Sequence, residues 1–248
     1  MSNSDLSVQL YTVRDALAAD LPGTLRRIAD IGFTAVELFG FVDLADQYAE
    51  LLPATGLSAP SAHAGLVGND VDAVFAAATK VGVQTVIDPH IDRTLWTTRE
   101  DLTASAAALN TIAKAAAEHG LVIGYHNHWW ETENSIDGAP AIEVFAAALD
   151  DAVVLEVDTY WAEVGGVSAP ELLGRLGNRV QLIHVKDGPA TQRNEDQTAV
   201  GSGTLDIAAI LAAAPHARRV VELDDFTGDV FDAVRDSYAW MTANDVQA

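Results

Sequence analysis

Short apolar or β-branched runs recur along the chain, and between them apolar residues fall at helical spacing. The runs Ser7–Tyr11, Ala35–Phe39, Leu57–His63, Thr85–Asp88, Leu121–His126, Val153–Asp158, Val180–Val185 and Arg219–Leu223 read as eight strands. From Leu102 to Ala116, the set Leu102, Ala106, Leu109, Ala113 and Ala116 keeps the 3–4 step of one helix face. Gly120 follows as a C-cap after His119 in the last turn, where an imidazole favours the negative end of the helix. Strands buried on both faces read as unbroken apolar runs, so eight strand–helix units predict a (β/α)8 TIM barrel. One α/β domain is expected over residues 1–248, because no Gly-, Ser- or Pro-rich linker divides the chain. A doubly wound nucleotide-binding sheet is rejected, since the first strand runs into Gln9-Leu10-Tyr11-Thr12-Val13-Arg14 without a glycine.

Charge narrows the partners. The 248 residues carry 14 Lys and Arg against 36 Asp and Glu, a formal net charge of −22. Such a chain repels phosphate backbones and anionic lipid heads, so neither nucleic acid nor membrane is expected as a partner. A multivalent cation held in a site would relieve part of that self-repulsion. The chain has no cysteine, which excludes disulfides, thiolate zinc sites and cysteine nucleophiles. Met1-Ser2-Asn3-Ser4-Asp5 lacks the basic start and apolar run of a leader, and a cytoplasmic location is expected.

In such a barrel, chemistry sits where strands end and the following loops begin. Polar residues collect there: Glu37, His63, Asp88 and His90, then Tyr125-His126-Asn127-His128-Trp129-Trp130-Glu131, Glu156 and Asp158, His184-Val185-Lys186-Asp187, and Glu222-Leu223-Asp224. Singly, each reads as a rim residue or a helix cap. Glu222, flanked by Val221 and Leu223, is different: a carboxylate inside an apolar run is buried and needs a partner. Asp158 and His184 raise the same question, and a divalent metal would satisfy all three. With carboxylate and imidazole donors and no thiolate, Mn2+ and Mg2+ are favoured, and Co2+ or Zn2+ also fit.

Taken in order, Tyr125-His126-Asn127-His128-x-x-Glu131, Asp158-Thr159-Tyr160-Trp161, His184-Val185-Lys186-Asp187, Gly201-x-Gly203-x-x-Asp206 and Val221-Glu222-Leu223-Asp224 resemble the sugar-phosphate isomerase/epimerase family, the xylose-isomerase-like TIM barrels. The resemblance runs from Gln9-Leu10-Tyr11-Thr12 to the last strand. It implies a divalent metal, commonly Mn2+, held by Glu131, Asp158, His184 and Glu222, with His126 or His128 as alternatives to Glu131. It further implies that Glu131 and Glu222 act as paired acid and base on either side of a carbon alpha to a carbonyl, with the metal stabilising an enediolate. The His126-Asn127-His128 segment departs from the ketose epimerases, which carry a glutamate within this strand, and brings His128 forward as a base. That segment also resembles members that cleave 3-keto-glycosides, alone or with a partner subunit. Isomerisation or epimerisation of a small-molecule sugar and elimination from a keto-glycoside therefore both stand at this point, as does a homo-oligomer. Lys186 is expected to hold a substrate oxygen or to pair with Asp158 or Asp187. Glu37, His63, His126, Trp129 and Trp161 are expected to contact sugar hydroxyls or stack on the ring, and Trp96 and Trp130 share their loop setting. The Gly201-Ser202-Gly203 turn is no phosphate loop, and with so few basic residues at the strand ends the substrate is expected to be unphosphorylated.

Overall fold

The computed structural model describes residues 6–244; the leader reading of Met1–Asp5 lies outside them. Among the described residues, eight parallel strands close into a barrel with helices between them. They are β1 (Leu6–Gln9), β2 (Ala35–Phe39), β3 (Ser58–His63), β4 (Thr85–Asp88), β5 (Val122–His126), β6 (Val153–Asp158), β7 (Val180–Val185) and β8 (Arg218–Val221). Each strand pairs with its neighbours in sequence, and β1 closes the ring on β8 through Ser7 opposite Val220. This is the TIM barrel that the sequence predicts. Four strands keep the predicted bounds. The first is shorter, because Gln9 ends it: its side-chain oxygen accepts the Tyr11 N–H and starts a 3-10 turn over Leu10–Val13.

The main hydrophobic core fills the space between strands and helices, while Ile87, Leu182 and Val220, with Val154 against them, fill the lower barrel interior. At Gly124 on β5 a Cβ would press into Ile87 and Val154, so only glycine fits there. Strand periodicity then dictates what lies above this apolar layer. Two residues onward from Gly124, Val154, Leu182 and Val220 stand His126, Glu156, His184 and Glu222, and two further along come Asp158 at the end of β6 and Lys186 just past β7. The alternation that fills the lower barrel with hydrocarbon thus fills its upper mouth with ionisable groups.

The register shifts between Ala35 and Glu37 on β2, and between Leu155 and Glu156 on β6. Such irregularities re-aim side chains beside functional sites, and here each precedes an interior carboxylate. The Arg99–Ala117 helix buries the five apolar residues of its predicted face and is capped by Thr98, whose hydroxyl accepts the Asp101 N–H. Gly120 beyond its end takes a left-handed φ of 72°, and the ring of the adjacent His119 meets Phe75. No helix among the described residues is long and apolar enough to cross a membrane.

Candidate metal centre

At the barrel mouth, charges alternate in a buried layer. Gln9 on β1 donates from Nε2 to Glu37 Oε1 at 2.8 Å. The same oxygen lies 3.1 Å from His63 Nε2 and 2.7 Å from His184 Nε2. Glu156 Oε2 accepts from His63 Nε2 at 2.6 Å, with His184 Nε2 at 3.2 Å and His126 Nδ1 at 3.4 Å. On its other edge, His184 donates from Nδ1 to Glu222 Oε2 at 2.7 Å, and Asp158 Oδ2 lies 4.0 Å away. His126 Nε2 is 3.8 Å from Asp158 Oδ2. Lys186 Nζ completes the layer, 2.9 Å from Asp158 Oδ2, 2.7 Å from Glu222 Oε2 and 2.6 Å from Asp224 Oδ2.

These neighbours set the protonation states. Burial opposes the charge on His63, but Glu37 and Glu156 override it and raise its pKa to about 10. Burial and the nearby Glu37 oppose the charge on Glu156, yet His184 and His63 bring its pKa down to about 2. Glu222 is likewise held well below the usual carboxylate range, against burial, by Lys186 and His184. Asp158 goes the other way: burial, with Glu222 and Asp224 adding repulsion, pushes it up despite Lys186 and His184. Burial and the charge of His184 keep His126 neutral, the form in which an imidazole binds a metal.

Two overlapping groups of donors could hold an ion: His126, Asp158, His184 and Glu222, and His63, His126, Glu156 and His184. Within each group the donor atoms lie within 4.8 Å of one another. Glu156 Oε1, Glu37 Oε2 and His126 Nδ1 are buried without a hydrogen-bond partner, and Asp158 Oδ2 faces the Lys186 ammonium. The donor set of imidazoles and carboxylates fits a divalent metal.

Glu131 does not join either group. Its carboxylate is fully buried on the short Trp130–Glu133 helix, where it accepts the Tyr125 hydroxyl at 2.7 Å and the His128 N–H at 2.9 Å. The chain turns into that helix after β5 and carries Glu131 away from the barrel axis. In its place β5 presents His126. Asn127, just past the strand, clamps the end of β6, donating to Asp158 O and accepting the Asp158 N–H.

Above this layer opens a cavity of about 800 Å³. His63, His126, His128, Trp129, Trp161 and Glu222 line it, joined by Tyr11, Phe39, Phe41 and Trp130. Glu37 and Lys186 lie beneath, buried and engaged with the groups named above. Trp96 is instead a core residue, buried against Tyr125 and Phe145. Asp187 does not pair with Lys186. Its carboxylate accepts the N–H groups of Gly188, Gly201, Gly203 and Leu205, which is what the Gly201-Ser202-Gly203 turn serves. A Cβ at Gly203 would run into that carboxylate.

Two groups were not expected from the sequence as site members. Glu156 is flanked by Leu155 and Val157, the same signal that singles out Glu222. Gln197 clamps Asp224 by accepting its N–H and donating to Oδ2, each at 2.7 Å, and it has no such signal because its loop carries no periodicity.

None of the curated proteins matches this sequence. Among solved structures, a sugar phosphate isomerase/epimerase from Parabacteroides distasonis superposes with a TM-score of 0.83 at 22% identity, over 98% of this chain and 95% of that one. An L-ribulose 3-epimerase gives 0.69 at 16% identity, over 97% and 94% of the two chains. An IOLI protein with a binding zinc atom gives 0.71 at 16% identity, over 97% and 98%. At such identities the likeness is one of fold. The description "xylose isomerase-like TIM barrel" matches residues 25–242, nearly the whole barrel, and the chain belongs to that family.

Proposed function

We propose that the chain is a divalent-metal-dependent isomerase or epimerase that moves a proton alpha to the carbonyl of an unphosphorylated sugar or keto-sugar. One observation carries this reading: the buried donor group His126, Asp158, His184 and Glu222 meets the cavity through His126 and Glu222. A divalent ion bound there, Mn2+ by preference for its mixed oxygen and nitrogen donors, would supply Lewis acidity toward a carbonyl oxygen.

The chain's own residues supply the rest. His128 lines the cavity with its ring stacked on Trp130 at 4.3 Å. Its Nδ1 lies on the Glu131 side, 3.8 Å from Oε1, which leaves Nε2 to take a proton from a bound sugar. Glu131 thereby acts on the loop that carries the base rather than on substrate. Glu222 borders the same cavity with Oε2 held by His184 and Lys186, and is the second acid–base group. Lys186 neutralises the carboxylates of Asp158, Glu222 and Asp224 from below. No lysine or arginine is among the lining residues, which disfavours a phosphorylated substrate.

The cavity itself favours a second reading. Its volume is several times that of a hexose, and Tyr11, Phe39, Phe41 and Trp129 are among its lining residues. A glycoside whose keto-sugar sits at the floor and whose aglycone rests on those rings fits this shape, with base-catalysed elimination in place of proton return. Incubation of the Mn2+-supplemented protein in D2O with ketoses, keto-sugars and 3-keto-glycosides separates the two. Solvent deuterium at the alpha carbon without bond cleavage is expected for the first, and aglycone release for the second. Neither exchange nor cleavage with any of these compounds would refute both.

A further inference from the structure

The cavity has two walls that the proton-transfer chemistry leaves unused. One is aromatic. Among the described residues Tyr11 is the most exposed aromatic side chain, at 39%, yet its ring is held in place. The Arg14 guanidinium lies 4.3 Å from the ring centroid, and the Phe39 ring meets it at 87° and 5.3 Å. Tyr11 and Phe39 both line the cavity.

The other wall is polar. The loop after β7 brings Gln192 and Asn194 to the cavity, both exposed, whereas His126 and Glu222 at the same cavity are buried. Exposed lining residues stand at a cavity's rim and buried ones at its floor. The side-chain amides of Gln192 and Asn194 make no hydrogen bond among the described residues. The backbone that carries them is nevertheless fixed on both sides. Before them, the Tyr160 hydroxyl donates to Thr191 O and accepts the Thr191 N–H, each at 3.1 Å. After them, Gln197 is clamped on Asp224. Asp224 also ties the two walls together, because its carbonyl accepts from Arg14 at 2.8 Å.

This pairing selects a chemistry. A ring of C–H groups edged by hydroxyls can lie on an aromatic face while amides, which both donate and accept, bond its edge. An apolar unit would cover the amides and leave them unpaired. An anionic unit is disfavoured, since apart from the histidines the charged lining groups are Asp43, Glu222 and Asp224. Amides on a fixed backbone also lose little freedom on binding.

We propose that Tyr11, Gln192 and Asn194 form a second sugar subsite at the rim, so that the substrate is a keto-sugar joined to a further neutral sugar ring. This rests on the proposed action on a keto-sugar. The test is calorimetric binding of D-fructose, of the glucosyl-fructose maltulose and of phenyl 3-keto-β-D-glucoside to the full-length chain. Maltulose is expected to bind about 10-fold tighter than D-fructose, the scale of one or two hydrogen bonds. Gln192→Ala and Asn194→Ala are each expected to lower that preference about 2–10-fold, and Tyr11→Ala by a similar factor. All three side chains are exposed at the rim, and the Gln9 and Arg14 contacts to the Tyr11 backbone survive its substitution. D-Fructose binding without a preference for maltulose would overturn the subsite alone. So would a preference that all three variants retain, or tighter binding of the phenyl glycoside that Gln192→Ala and Asn194→Ala leave intact. A chain that binds none of the three compounds overturns the sugar reading and the subsite together.

Discussion

Asp158→Asn separates the two oxygens of one side chain. Oδ1 accepts the Trp161 N–H at 2.8 Å and caps the Thr159–Val164 helix, while Oδ2 faces Lys186 and His126. Asparagine is isosteric and keeps an acceptor for the cap, which Asp158→Ala would forfeit at about 1 kcal/mol. At the Oδ2 position it places an N–H donor, which cannot bind a cation. The metal-free fold should tolerate the change. Burial and the Glu222 and Asp224 charges already push the Asp158 carboxyl above its ordinary pKa, so a neutral amide relieves repulsion as it gives up the Lys186 contact. Metal-free Asp158→Asn is therefore expected within about 1 kcal/mol of the parent, on the scale of a single hydrogen bond. At free Mn2+ about 100-fold above Kd, the parent gains about 2.7 kcal/mol. For a chain of this size that raises the thermal midpoint by about 5–11 °C. Asp158→Asn should show no such rise and no stoichiometric manganese by elemental analysis. A variant that retains one ion per chain and the full upward shift would refute the ligand assignment. A variant several kcal/mol less stable without metal would instead make Asp158 a purely structural residue.

Asp187→Ala strips the acceptor from the backbone N–H groups of Gly188, Gly201, Gly203 and Leu205, and urea unfolding should show a loss of about 3–5 kcal/mol. A loss under about 1 kcal/mol would mean the loop does not depend on that carboxylate. His63, raised to about 10 in the fold against about 6.5 in the unfolded chain, contributes stability that is full below pH ~6.5 and is lost as pH rises through about 10. Metal-free parent should therefore lose stability between pH 7 and pH 10 more steeply than His63→Gln, and equal slopes in chemical denaturation would count against the Glu37–His63–Glu156 network.

The barrel was legible because its cause is local. An apolar strand buried on both faces leaves an unbroken run, and β2, β4, β6 and β7 match their predicted bounds residue for residue. Asp158, His184 and Glu222 were legible for the same reason, as polar residues where such a run should continue. Glu131 misled because its distance from the strand end along the chain says nothing of the turn between them. Once Trp130–Glu133 coils into a helix, the Tyr125 hydroxyl and the His128 N–H claim the carboxylate, and neither contact follows from spacing.

Glu156 was hidden by something other than a loop. It sits within a strand, and which face a strand residue takes depends on register, which a single shift inverts. At β6 the shift falls between Leu155 and Glu156, so the interior set cannot be counted from the strand's start. It can be counted from the apolar layer instead. Once Gly124, Val154, Leu182 and Val220 are known to point inward, His126, Glu156, His184 and Glu222 must form the layer above them. The glycine is the key to that layer: a residue with no side chain in the middle of a β-branched strand marks a crowded interior. The site at the barrel mouth is in this sense the continuation of the hydrophobic interior by the same two-residue step, with charge in place of hydrocarbon.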